Sequence, residues 1–439
     1  MLDAIPVLVD KPLVARTHWS GEAETRGRGA AELCAMIRDG RGFEALLDAI
    51  TVPIVAPHRL RRLLPLPDSI WESEPLLRFG GWLRQRQLLS RLKKPRDAQS
   101  ARDWLNLFYG RGSPLSGALY NYFFHRFTQP RYLAALSLFT LLPPSDKPVL
   151  DIATGFGHFA HHLQNGEVPH PVIGLDFNFF PMWAARRVMV PKASFVVADA
   201  TEGLPFPDGA FSGVTCSDAF HFMAEKTRVL EECDRCVDNG PVIFTRVGNA
   251  QVLPPDGPVE LSPGSYRALF AGKTLRMFGE LDLVKSYLRH LGPDLSHDAR
   301  PDELAFDKYL SIVVFPDGEL PPRPSFERWP HCVGVLGINP LYAARPRADG
   351  GLDLSLGDMP SKWFALQNAA ALMYLPQRTT ITRADLDAMK SGQMTPALGA
   401  LIDRFVVIGM PSGYATPRAD RPSRSGPSNV HEESPVSAA

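Results

Sequence analysis

Between residues 147 and 316 the apolar positions gather into short runs bounded by turn-forming residues. They are PVLDIA (148–153), PVIGLDF (171–177), SFVVAD (194–199), FSGVTCSDA (211–219), GPVIFTRV (240–247) and YLSIVVFP (309–316). These runs are apolar throughout instead of alternating with polar residues, the pattern of strands covered on both faces. Helical stretches lie between most of them, so the segment reads as successive βαβ units building a mostly parallel sheet with helices on both faces, an α/β Rossmann-like fold. Upstream the period changes. Residues 31–50 read as amphipathic helices broken near Gly40 and Gly42, 76–94 as a helix, and 100–142 as two or three more, with Gly110, Gly112 and Pro114 between them. Pro53, Pro57, Pro65 and Pro67 forbid a long regular element over 53–67. Residues 1–146 are therefore expected to form a helical N-terminal cap region with no sheet of its own. Downstream, the proline-rich DGELPPRPSFERWP (317–330) reads as a linker. Residues 331–415 read as a small α+β C-terminal module, with strands in VGVLGINPLYAA and FVVIGMP and helices over 361–372 and 382–406. The Ser- and Pro-rich stretch 416–439 is expected to be a disordered tail.

A length of 439 residues suggests two to three domains, and 45% hydrophobic with 21% charged residues is ordinary for a globular chain with a core. Lysine plus arginine equals aspartate plus glutamate, 47 each, so no global charge calls for nucleic acid. The basic set Arg59, Arg61, Arg62, Arg84, Arg86, Arg91, Lys93, Lys94 and Arg96 is first of all a solvated face. Five scattered cysteines give no disulfide framework and favour a reducing compartment. Cys233 and Cys236 form a lone CxxC, short of the about four ligands of a closed zinc site, so no metal is expected. The start MLDAIPVLVDKPLV has neither a basic beginning nor a long apolar core, and no run reaches the ~18 apolar residues of a membrane span. A cytoplasmic location follows as the default. The sequence does not speak to oligomeric state.

The stretch VLDIATGFGHFAHHL (149–163) carries the chemistry. It is a strand, turn and helix in which Asp151 ends the strand and Gly155 and Gly157 open the turn for close approach of a ligand. Gly155, Gly157 and Ala160 fit a loose GxGxxA, which alone is a weak dinucleotide signal. Asp176, 19 residues after Gly157, ends the second strand, where a carboxylate can accept two ribose hydroxyls, and Asp199 ends the third. A pyrophosphate would avoid Asp151, whereas a ligand carrying an ammonium and a sulfonium would welcome it. A nicotinamide-dependent oxidoreductase is disfavoured on that ground.

In order and spacing, VLDIATGFGHFA, VIGLDFN and VVADATEGLPFPDGAFSGVTCSDAFHF resemble the successive motifs of class I S-adenosylmethionine-dependent methyltransferases. The likeness is to the small-molecule group containing the ubiquinone and menaquinone methyltransferases, and covers about 147–316. It implies S-adenosyl-L-methionine as cofactor, with Asp151 and the turn Ala153, Gly155 and Gly157 against its methionine part. Asp176 would bind the ribose, Phe177 would flank the adenine, Asp199 and Ala200 would meet the adenine edge, and Ser217 would lie near the sulfonium. Three positions depart from the pattern. Ala153 stands where glycine is commonest, Phe156 replaces a small residue and is expected to reshape the pocket mouth, and Ser212 stands where FD usually follows DGA.

Each of these residues also has a plainer reading. The aspartates can cap turns, His221 can be a core histidine, His158, His161 and His162 can be partly exposed helix residues, and the aromatic run 120–127 can be packing core. For a hydroxyl acceptor a histidine suits the role of general base, with His221 first and His125 second. Tyr120, Tyr122, His125 and Arg126 are expected to face the pocket from a cap laid over the carboxyl ends of the strands. The expected function is methyl transfer to a small or medium organic acceptor. The alternative is a non-catalytic protein that binds the cofactor or a metabolite and acts through its C-terminal module.

Overall fold

The structure, a computed structural model, describes residues 1–9, 29–51, 73–94, 99–110, 117–253, 260–316 and 320–415, with 64, 67, 70 and 318 between them. The proline-bearing stretch 53–63, the basic residues Arg59, Arg61, Arg62 and Arg96 and the tail 416–439 lie outside the described residues. The helical cap comprises α1 (Ala30–Arg38), α2 (Gly42–Ile50), α3 (Glu74–Leu92), α4 (Ala101–Tyr109), α5 (Gly117–Phe124) and α6 (Pro130–Phe139), with a 3-10 turn at Arg126–Thr128. The break at Gly40–Arg41 separates α1 from α2. Ser100 caps α4 through a reciprocal box with Asp103. The basic set is only partly a solvated face. Arg86, Lys93 and Lys94 are exposed, but Arg84 is buried and donates to the Leu107 carbonyl, and Arg91 pairs with Asp103 at 3.0 Å, so both tie α3 to α4.

The sheet is built from β1 (Val149–Ile152), β2 (Val172–Asp176), β3 (Ser194–Val197), β4 (Gly213–Ser217), β5 (Val242–Gly248), β6 (Thr274–Gly279) and β7 (Tyr309–Phe315) in the order β3-β2-β1-β4-β5-β7-β6. The first five strands run parallel, and β7 is antiparallel to both of its neighbours. Six of the seven are the apolar runs of the sequence. The seventh, β6, alternates buried and half-buried positions at an edge, so no continuous apolar run marks it. Helices α7 (His158–Asn165), α8 (Phe179–Val188), α9 (Lys226–Cys236), α10 (Pro263–Leu269) and α11 (Glu280–Tyr287) complete the layers. Burial on both faces is visible along β1: Val149 joins the core beneath α6, α7 and α8, while Leu150 and Ile152 join the core shared with α9 and α10. Cys233 and Cys236 are buried free thiols on α9. Residues 6–8 add to the β3 edge: Leu8 N–H donates to the Val197 carbonyl at 2.8 Å and Val197 N–H to that of Pro6 at 2.9 Å.

The C-terminal residues form the antiparallel pair β8 (Val335–Ile338) with β12 (Val407–Met410), and an antiparallel sheet of β9 (Tyr342–Pro346), β10 (Leu352–Leu356) and β11 (Arg378–Ile381). Their helices are α12 (Lys362–Gln367), α13 (Arg383–Ser391) and α14 (Pro396–Asp403). The helix expected over 382–406 is two, because Gly392 takes φ +72° and closes α13. The module shares one hydrophobic core with the cap and one face of the large sheet. Its Tyr414 hydroxyl lies 3.0 and 3.2 Å from the carbonyls of Phe123 and Phe124 and 3.1 Å from His158 Nε2, and its ring stacks on Phe124.

His158, His161 and His162 are buried against this module, not partly exposed. Burial lowers His161 to about 4 and His162 to about 3, holds His158 well below its ordinary value, and lowers His331, beside Tyr287 and Ile402, to about 3. A histidine kept neutral in the fold but free to protonate when unfolded contributes stability that is complete above its ordinary pKa of ~6.5 and is lost as pH falls toward the folded value. Asp151 and Asp176, raised to about 6 chiefly by burial, act in the opposite sense between about pH 4 and 6. Four histidines displaced as far or further outweigh two carboxyls. The urea midpoint should therefore fall steadily from about pH 6.5 to 4.5; a midpoint that stays level or rises over that interval would contradict the burial of these rings.

Candidate functional site

The chain leaves β1 through a turn in which Ala153, Gly155 and Gly157 have φ of +57°, +52° and +75°. Ala153 sits in the left-handed region despite its Cβ, a strain of about 1–2 kcal/mol. Hydrogen bonds hold the turn from beneath. The Asp151 carboxylate accepts from Thr154 Oγ1 at 2.6 Å and from Thr215 Oγ1 at 3.1 Å, Thr154 N–H donates to the Leu175 carbonyl, and Gly155 N–H donates to Asp176 Oδ2 at 3.0 Å. At Gly157 a Cβ would lie 2.9 Å from Val190 and 3.2 Å from Ala185, so glycine is needed both for φ and for seating α7 on α8.

Above the turn, at the carboxyl ends of β1–β4, is a cavity of about 390 Å³. The strand order reverses between β1 and β4, and ligands bind in open α/β sheets at this switch point. Ala153, Thr154 and Gly155 form one wall; Asp176, Phe177, Asp199 and Ala200 a second; Ser217, Asp218 and Phe222 a third. The cap supplies Tyr109, Tyr122, Phe123 and Arg126. A Cβ on Gly155 would point at the Phe123 ring, 3.5 Å from its edge, so the turn lies close beneath this part of the cap. The Asp176 carboxylate also accepts Asn178 N–H at 2.9 Å. Asp199 Oδ1 accepts the Thr201 N–H and hydroxyl at 3.1 and 2.6 Å.

The structure thus brings Ala153, Gly155, Asp176, Phe177, Asp199, Ala200 and Ser217 together on the cavity wall. Asp151 and Gly157 lie behind it and shape the turn. His221 and His125 do not reach the wall. His221 is buried in the 3-10 turn Phe220–Phe222, its ring against Phe222, and burial lowers it to about 4. His125 is buried between Phe124 and Phe364 of α12. Both rings follow turns of the backbone that send their neighbours, Phe222 and Arg126, to the cavity instead. Phe156 does not reshape the mouth: flanked by two left-handed glycines, it turns into the core beside Phe123 and His158. Of the cap residues expected to face the site, Tyr122 and Arg126 do.

Sequence reasoning missed the most highly charged part of the wall. Asp218 follows Ser217 at φ +59°, and its Oδ2 accepts from Tyr122 Oη at 2.8 Å, Arg131 Nη1 at 2.9 Å and Arg126 Nη1 at 3.3 Å. Arg246 Nε lies 3.1 Å from the other carboxylate oxygen, and its Nη1 bonds Glu280 at 2.7 Å. Arg126, Arg131 and Arg246 are all buried. Burial alone would raise the Asp218 carboxyl, but Arg131, Arg246 and Arg126 more than offset it and hold the group well below the usual carboxylate range. The signal in the sequence was the arginine inside the otherwise apolar run GPVIFTRV, a buried charge that requires a partner, and a fourth aspartate at a strand end in SDAF.

Residues 150–245 match the family described as a methyltransferase domain. The match runs from β1 into β5 of the sheet described above. That segment is a methyltransferase domain. Among relatives of the chain, the demethylmenaquinone methyltransferase of Thermotoga maritima is 32% identical over 159 residues, 36% of this chain and 60% of that protein. That of Thermus thermophilus is 36% identical over 102 residues, 23% of this chain and 46% of that protein. The chain thus spans roughly half the length of these relatives. A solved S-adenosylmethionine-dependent methyltransferase from Mesorhizobium loti is 17% identical, with 42% of this chain and 97% of that one covered at a TM-score of 0.32. Outside the methyltransferase domain lie α1–α6, Arg131 on α6, Glu280 on α11 and the whole C-terminal module, so the arginine cluster is partly built from residues beyond the matched segment.

Removing the charge of Asp218 would leave three buried guanidinium groups facing one carboxylate. Asp218→Asn should cost about 3–5 kcal/mol in urea unfolding, whereas Asp208→Asn, at an exposed ion pair with Arg235, should change little. Equal small effects would show that the cluster is not a tension point of the fold.

Proposed function

We propose that the protein is an S-adenosyl-L-methionine-dependent methyltransferase acting on a small or medium organic acceptor. The observation that carries the reading is the cavity at the β1/β4 switch point, with Asp176 and Asp199 on one wall and the left-handed Gly155 turn on another. The residues fit the cofactor. The Asp176 carboxylate lies on the cavity wall, oriented by the N–H groups of Gly155 and Asn178, where it can accept ribose hydroxyls. Phe177 would flank the adenine, Asp199 and Ala200 would meet its edge, and Ala153, Gly155 and Ser217 would face the methionine end, with Asp151 and Gly157 acting through the shape of the turn. When bound, the cofactor supplies an electrophilic methyl group; the chain's residues bind it, align the acceptor and exclude water. The relatives named demethylmenaquinone methyltransferase favour a small organic acceptor, and the aromatic cap suits one.

Calorimetric titration tests the cofactor directly. S-adenosylmethionine and S-adenosylhomocysteine should bind and NAD should not; micromolar NAD affinity with no response to S-adenosylhomocysteine would overturn the reading.

Charge-assisted hydrogen bonds contribute about 1.5–3 kcal/mol each. Asp176→Ala should therefore weaken cofactor affinity at least about tenfold, and wild-type affinity in a folded variant would mean that the ribose is held elsewhere.

A further inference from the structure

The wall formed by the end of β4 and the cap differs in chemistry from the rest of the cavity. Three buried guanidinium groups meet there, on Arg126, Arg131 and Arg246, and their carboxylate partners in ion pairs are Asp218 and Glu280. Buried charge of one sign in excess is costly unless a counter-ion arrives. The pairing is also uneven. Arg131 and Arg246 hold their carboxylates at 2.9 and 2.7 Å, whereas Arg126, the member that lines the cavity, reaches Asp218 at 3.3 Å and the Ser217 hydroxyl at 3.4 Å, beyond the usual hydrogen-bond range. Nε and Nη2 of Arg131 have no hydrogen-bond partner among the described residues. Asp151 is within electrostatic reach of Arg126, but its carboxylate is occupied by two threonine hydroxyls behind the wall.

The same wall is poor in bases. His158, at the start of α7, is the histidine that lines the cavity among the described residues, and burial holds it well below its ordinary pKa. The Tyr122 phenol, pushed up to about 12 by burial, donates to Asp218, and Asp218 is itself held deprotonated by its arginines. Among the described residues of this wall none is suited to taking a proton from a neutral hydroxyl near pH 7, and Asp176, raised to about 6, stands on the separate wall assigned to the ribose.

We propose that the methyl acceptor arrives as an anion, carrying a carboxylate or the ionised oxygen of an acidic enol or phenol, and that Arg126 receives that oxygen at the β4 end of the cavity. The inference rests on the methyltransferase reading above and adds the acceptor class to it. An ionised oxygen has no proton to lose. Its lone pair forms the bond to the methyl carbon, the carbon–sulfur pair returns to sulfur, and the anion and the sulfonium are neutralised together. Arg126 stabilises the acceptor's charge while it is bound and aligned, and Arg131 and Arg246 hold Asp218 so that it cannot neutralise Arg126 fully.

The carboxylate of the cofactor's own methionine part has the same chemistry, and the test separates the two sources. Crystals of the wild-type protein with S-adenosylhomocysteine are soaked in sodium bromide. The proposal requires an anomalous bromide peak in contact with the Arg126 guanidinium. If the nucleoside's own carboxylate occupies Arg126, or no bromide lies there, the acceptor assignment is overturned. In solution, S-adenosylhomocysteine and 5′-methylthioadenosine, which lacks the carboxylate, are titrated into Arg126→Met and Arg126→Lys. Both should bind within about twofold of wild type; a loss of about tenfold or more for S-adenosylhomocysteine alone assigns Arg126 to the cofactor. Should the methionine variant not fold, the bromide soak of the wild-type protein still decides. Failure of S-adenosylhomocysteine to bind the wild-type protein would instead overturn the methyltransferase reading itself.

Discussion

The Asp218 carboxylate is the point at which the parts of this protein are joined. Its arginine partners come from the 3-10 turn after α5, from α6 and from β5, and Arg246 extends the network through Glu280 to α11 and through Gln367 to α12 of the C-terminal module. Cap, sheet and module therefore share one buried set of charges. Apolar packing fixes these bodies against each other only loosely in register, because apolar contact is not directional. Guanidinium–carboxylate pairs are directional, and a buried one that loses a partner is strongly penalised. The cluster thus sets where the cap sits over the cavity.

Holding the cluster there entails local strain. Asp218 and Arg246 both take positive φ, and β5 shifts register against β7 between Phe244 and Val247, where Arg246 leaves the regular ladder. The shift lets a charged side chain leave an otherwise apolar strand toward the site; a regular strand would carry it into the packed faces. The turn after β1 solves a related problem with neutral groups. Asp151, Thr154 and Thr215 brace it from below, so the backbone that faces the cavity is set before any ligand enters. Preorganised sites of this kind lose less on binding than sites that must order.

What was legible in the sequence follows from range. Six strands could be read because burial on both faces makes each a continuous apolar run. β6, β10 and β11 could not, since edge and half-exposed strands lack that run. The wall residues Ala153, Gly155, Asp176 and Asp199 could be found because strand ends and turns are local and ordered along the chain. Asp218 gave little by itself. Its meaning depends on arginines 87 and 92 residues before it and on another after it, and no local pattern encodes such a meeting. The histidines failed for the same reason. His158, His161 and His162 look like a polar helix face until the C-terminal module covers them, His221 turns inward where its place just past β4 suggested the cavity, and His125 is buried although its segment leads into the first strand.

The short pairing of residues 6–8 along β3 bears on how molecules of this protein meet one another. The outer strand of a parallel sheet offers a row of unpaired amides and carbonyls to any strand that passes, including the same strand of a second copy. Here the Pro6 carbonyl accepts the Val197 amide and the Leu8 amide donates to the Val197 carbonyl, so both backbone groups of Val197 are already paired. The amino-terminal segment thereby occupies the Val197 end of that margin, where a strand of a second copy would otherwise add, a contribution to colloidal behaviour that is separate from anything occurring in the cavity.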